Sequence, residues 1–333
     1  MVKKRKKKRR IRLDRLVLLL VIFILVTSLT VFTLSKLFPK KESASTGEDV
    51  SIDHILEVLS LKDPIDIDPT LMTSISSEFA AVMDNETGRI VADKNGTERM
   101  YPASLTKMMT AIVTIENEPD LDKTVEITYD MIAGLYEENA SVAGFETGDE
   151  PTVRDILYGM ALPSGADACN AAAYDIAGSI DGFVDLMNQK AQELGMNSTH
   201  FTNTTGLHDD NHYTTAEDLA KLLRYCISNE TFAEIFSTPY YTTTPLVSHP
   251  YGITMQSTVS KSESYYGIQI PGLIGGKTGF TYEAGKCLAS WSQVDGHTII
   301  IVTGHAGEEI DGYNHFIDHD FLLSQIKTNL KKN

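Results

Sequence analysis

In the stretch YPASLTKMMT, residues 101–110, Ser104 and Lys107 stand three apart just behind a proline. A serine hydroxyl is a weak nucleophile until a neighbour takes its proton. A lysine can take it when burial or a second cation leaves the amine neutral at working pH. Three positions along a helix bring two side chains onto one face, and Pro102 suits the opening of such a helix, where its missing N–H costs nothing. A helix start also aims backbone N–H groups at negative charge that develops beside it. Ser-x-x-Lys alone is a common accident, and two further elements give it weight. Ser164 lies in a Pro-Ser-Gly turn ahead of the helix-like run ADACNAAAYD. Lys277, Thr278 and Gly279 lie in the strand-like, glycine-rich GGKTGFTYEAGKCLA, where a ligand can approach the backbone closely.

These residues need elements to hold them. From Ser77, two apolar runs flank Asn85-Glu86-Thr87-Gly88, the pattern of a β-hairpin. Helical periodicity fills the middle of the chain, roughly 111–235, in VRDILYGMAL, DGFVDLMNQKAQELG and TAEDLAKLLRYCI, the last with Thr214 or Thr215 as N-cap. Beyond about 265 the runs become strand-like, and HFIDHDFLLSQIKTNLK closes the chain as a helix. Hairpin, helical block, strands and helix in that order predict an α+β fold: one antiparallel sheet flanked by helices, with a helical insertion. The chain has no internal repeat.

At 333 residues and 42% hydrophobic composition the chain can bury a large core, which excludes general disorder. Residues 1–15 hold ten Lys and Arg against Asp14, a net of +9. With the whole chain at −16, the remainder carries −25. Residues 16–35 are twenty positions without a charge, about the thickness of a bilayer core as a helix. The reading is a basic cytoplasmic segment at 1–15 and an uncleaved transmembrane helix at 16–38. A stalk follows at 39–70, and then an extracytoplasmic catalytic domain at 71–333. A cleaved signal peptide is the competing reading, disfavoured because the apolar run exceeds the usual signal core. A basic head this short, joined to a span, is not a nucleic-acid site. Cys169, Cys226 and Cys287 form no CxxC pair and read as small buried hydrophobes.

The three motifs, in this order, resemble the serine D-alanyl-D-alanine carboxypeptidases, the low-molecular-mass penicillin-binding proteins, whose signatures are SxxK, SxN and KTG. The likeness runs over about residues 76–306, including LMNQKAQELGMNSTHFTNTTGLHDDNHYTTAEDLAKLLRYC. It implies that Ser104 attacks the carbonyl between two D-alanines of a peptidoglycan stem peptide and that Lys107 is its base. It further implies that Ser164 passes a proton to the leaving D-alanine. Lys277 and Thr278 would hold the terminal carboxylate, next to Gly279. The N–H groups of Ser104 and Phe280 would form the oxyanion hole. β-Lactams would acylate the same serine, with no metal and no cofactor. One departure stands out: Ala166 occupies the place of the SxN asparagine, which leaves Asn170 as a candidate substitute and a binding-only cell-wall protein as an alternative. A class A β-lactamase is a further alternative, and its deacylating glutamate has only Glu193, in ELGMN, as a counterpart.

Other signals read as structural. His208 and His212 stand with Asp209 and Asp210 but lack a third zinc ligand, and His212 reads as packing near the cleft or capping the next helix. His305, His315 and His319, with Asp318 and Asp320, read as a solvated face. Trp291 reads as core.

Overall fold

The computed structural model describes residues 65, 67–307 and 312–330. The basic head, the expected span at 16–38 and nearly all of the expected stalk lie outside these residues. Among the described residues, no helix is long and apolar enough to cross a membrane.

The expected hairpin forms as β1 (Phe79–Asp84) and β2 (Arg89–Lys94). Helix α1 (Lys107–Asn117) follows, then α2 (Val153–Ala161), α3 (Ala166–Ala177), α4 (Ile180–Glu193), α5 (Ala216–Ile227) and α6 (Glu230–Ser237). A two-stranded ribbon, β3 (Tyr240–Thr242) and β4 (Thr254–Gln256), and helix α7 (Thr258–Tyr266) lead to β5 (Leu273–Thr281), β6 (Gly285–Val294) and β7 (His297–Gly304). Helix α8 (Asn314–Leu330) comes last. The main sheet is antiparallel throughout, in the order β2-β1-β7-β6-β5, so the hairpin that precedes the helical block pairs with the strands that follow it.

Local chemistry explains the helix ends. Thr215 caps α5 by accepting the N–H of Asp218, and Thr152 and Asp155 cap α2 reciprocally. The sheet is covered on both faces, which is why β7 reads as an unbroken apolar run. Ala81, Met83, Ile300, Val302 and Trp291 face the helical block. Ala80, Val82, Ile299, Ile301 and Leu288 face α8 and the turn at Pro69–Ser74. Ile65 and Ile67, read in the sequence as stalk, are buried in this second cluster. All three cysteines are free and buried.

The histidine cluster corrects the sequence reading. His315, Asp318 and His319 are buried, not solvated. The His319 ring bonds the hydroxyls of Ser290 at 2.8 Å and Thr303 at 3.0 Å, while Asp318 accepts the N–H of Ser76 at 2.9 Å and of Ser77 at 2.7 Å. α8 turns its polar residues inward because their partners lie on the sheet and on the chain entering β1. His305, by contrast, is half-buried against Glu78.

Candidate active site

Ser104 is not on the α-helix itself. A 3-10 turn, Ala103–Thr106, carries it, and α1 begins at Lys107. A 3-10 turn eclipses positions i and i+3, so the expected pairing survives: Lys107 Nζ lies 3.0 Å from Ser104 Oγ. The turn is strained, with Ala103 at φ +46°. Gly279 of β5 lies against it, where a Cβ would come within 3.1 Å of Ala103 Cβ and of the Ser104 N. Glycine in the third motif therefore lets the strand press against the nucleophile's own turn.

Lys107 is only 3% exposed, and its amine also donates to the carbonyl of Thr205 at 2.6 Å. Burial lowers its pKa, opposed by Cys169 and Asp167 nearby. The Thr205 carbonyl and the Ser104 hydroxyl thus hold the amine between them.

Ser164 precedes α3 at φ +66°, a region that non-glycine residues rarely adopt. Its Oγ is buried without a hydrogen-bond partner. Such a group costs about 1–3 kcal/mol.

A cleft of about 470 Å³ opens above these groups, lined by Ser104, Ser164, Thr278, Gly279 and Phe280. The sequence-predicted residues thus gather here, but the two lysines do not line the cleft: Lys107 is buried against Ser104. Lys277 is 0% exposed and lies behind the wall, its amine donating to the Thr278 carbonyl at 2.9 Å. Burial, and then the proximity of the Lys107 amine, push its pKa well below the ordinary value.

Sequence reasoning missed much of the remaining lining. One face of α7 supplies Thr258, Lys261, Ser262, Tyr265 and Tyr266, spaced as one helical stripe. Thr258 Oγ1 accepts from Thr278 Oγ1 at 2.7 Å, tying this wall to the third motif. The sequence signal was weak because the stripe is polar and aromatic instead of apolar. Ser141 lines the opposite side, and its segment is held by Asp167, whose carboxylate accepts the N–H groups of Ala143 (2.7 Å), Gly144 (2.9 Å) and Phe145 (3.1 Å).

Asn170 does not replace the missing amide. Its Nδ2 donates to the Met131 carbonyl and its Oδ1 accepts from Thr204, away from the cleft. Ala166 is buried, its N–H given to the Ser141 carbonyl at 2.7 Å. Glu193 ends α4, paired with Lys190 at 2.9 Å and outside the cleft, so it offers nothing to a deacylating water. His208 lies edge-on to Tyr101, and His212 is buried behind the nucleophile's turn.

Residues 67–307 match the family model described as D-alanyl-D-alanine carboxypeptidase. The chain is 33% identical over 257 residues to the D-alanyl-D-alanine carboxypeptidase DacF of Bacillus subtilis, a match covering 76% of this chain and 63% of that one. It is 32% identical over 237 residues to a D-alanyl-D-alanine carboxypeptidase of Streptomyces sp., covering 68% and 80%. The crystal structure of a Streptomyces DD-transpeptidase superimposes with a TM-score of 0.67 at 30% identity, over 76% of this chain and 98% of that one. The motifs, the cleft they line and these likenesses agree: the chain belongs to the D-alanyl-D-alanine carboxypeptidase family of serine peptidases.

Proposed function

We propose that this protein removes the terminal D-alanine from peptidoglycan stem peptides through an acyl-Ser104 intermediate. The observation that carries the reading is the 3.0 Å approach of Ser104 Oγ to the amine of a buried lysine. Ser104 Oγ attacks the carbonyl carbon between the two D-alanines as its proton passes to neutral Lys107. The C–N bond breaks as Ser164 hands its proton to the departing nitrogen and recovers the one that Lys107 took from Ser104, and water then hydrolyses the ester that remains. The N–H groups of Ser104 and Phe280 take the oxyanion. The terminal carboxylate rests against Thr278, with the charge of Lys261 on the same wall, and draws Lys277 behind it toward its charged form. β-Lactams acylate Ser104 by the same attack.

The uncharged run at 16–35 supports a single N-terminal membrane span with the catalytic domain outside the cell. Ala166 is the one observation that favours a second reading, a wall-binding protein that acylates without turnover. Covalent labelling by penicillin tests the site: Ser104→Ala should abolish it, and labelling of that variant at the parent's rate would refute the role of Ser104.

A further inference from the structure

The imidazole of His212 joins two segments that meet at Lys107. One ring nitrogen, Nε2, lies 2.8 Å from Oγ1 of Thr106, the residue before Lys107. The other, Nδ1, accepts the backbone N–H of Thr202 at 3.0 Å. A backbone N–H can only donate, so the neutral ring carries its hydrogen on Nε2 and gives it to Thr106. Thr202 opens the 202–207 loop whose Thr205 carbonyl holds the Lys107 amine at 2.6 Å. Inside that loop, the Asn203 Oδ1 accepts the N–H of Thr205 at 3.1 Å and of Gly206 at 2.7 Å, which makes it one rigid piece. Gly206, at φ +82°, lies so close to the Ala103 carbonyl that a Cβ there would stand 1.8 Å from its oxygen. The loop is thus seated on the nucleophile's turn, and the His212 ring fixes how it sits.

We infer that His212 is a positioning residue for the Ser104–Lys107 pair, acting through Thr106 on one side and through the Thr202–Thr205 loop on the other. This rests on the function proposed above. The titratable groups facing the ring are Asp209, His200, His208 and Lys107, and burial keeps the ring neutral. A proton on Nδ1 would set one donor against the N–H of Thr202 and unseat the loop.

The test compares full-length parent, His212→Leu, which makes neither bond, and His212→Gln, whose amide can donate and accept in their place. The readouts are the rate of Ser104 acylation by penicillin across pH and thermal unfolding. Displacing a reacting group by about 1 Å can cost roughly 10²-fold. His212→Leu should lose rate on that scale, and its acid limb should move to higher pH as water reaches the Lys107 amine and relieves the burial that lowers its pKa. His212→Gln should keep the parent's rate and limb. Thr106→Val removes the hydroxyl at the other end and should move the limb as His212→Leu does, which keeps the test open if His212→Leu fails to fold. The inference is overturned if a folded His212→Leu, or Thr106→Val, matches the parent in rate and limb. It is also overturned if His212→Leu and His212→Gln slow equally with the limb unmoved, since the ring would then act by bulk alone. A parent that does not acylate at Ser104 overturns the underlying function instead, and this inference with it.

Discussion

Lys107 Nζ stands 3.0 Å from Ser104 Oγ across a 3-10 turn, and burial, not a neighbouring cation, is the first cause of its lowered pKa. The lowered pKa is therefore a property of the fold and needs no substrate. Acylation by penicillin should rise with pH along a limb below the ordinary lysine range. Lys107→Ala should slow it by about 10²–10⁴, the usual worth of base catalysis. Stopped-flow labelling across pH checks both, and a limb near the ordinary value of 10.5 would contradict the account.

Asp167 holds three consecutive backbone N–H groups of the segment that carries Ser141 to the cleft. Asp167→Ala would leave donors without acceptors, two of them on buried residues. At about 1–3 kcal/mol for each buried orphan, the loss should exceed about 2 kcal/mol, and acylation should fall with it. Denaturant unfolding of the variant decides this, and an unchanged midpoint would rule it out.

Lys277 is buried with its pKa well below 10.5, so the unfolded chain binds a proton that the native site resists. The stability this group permits is present above pH 10.5 and is lost as the pH falls through the native value. Lys277→Met should accordingly melt higher than the parent near neutral pH, by a margin that shrinks toward pH 10.5. The same variant should release D-alanine more slowly. Melting curves that run parallel at all pH values would defeat the argument.

Three buried histidines predict acid lability. Burial lowers the pKa of His212 from 6.5 to about 4, and those of His315 and His319 to about 3. Their contribution is present above pH 6.5 and is lost as the pH drops through the native values, at about 1.4 kcal/mol per unit for each group. Unfolding midpoints should fall steeply between pH 6.5 and 4, and less steeply in His319→Gln, which can still bond Ser290 and Thr303. A flat profile over that range would contradict the buried, neutral assignment.

The hairpin, the α5 cap at Thr215, the placement of Ser104, Ser164 and Thr278 on one cleft and the pairing of Lys107 with Ser104 were legible in the sequence. Each rests on local signals: turn residues, a threonine before an acidic first turn, and short motifs. The burial of His315, Asp318 and His319 was not, because Ser290 and Thr303 lie on the sheet and Ser77 is 241 positions from Asp318. The lysine of the third motif was recognised, but its withdrawal behind Thr278 depends on strand orientation against packed neighbours. The α7 wall escaped notice because a polar helix face over a cleft looks like a face over water. Asn170 was a plausible amide by spacing, yet Met131 and Thr204 bind it elsewhere.

The most direct measurement is release of free D-alanine from a stem peptide ending in D-Ala-D-Ala by the full-length protein, with Ser104→Ala alongside. The account predicts release by the parent and none by the variant. An unchanged rate in Ser104→Ala, or a parent that labels with penicillin yet releases no D-alanine, would contradict it.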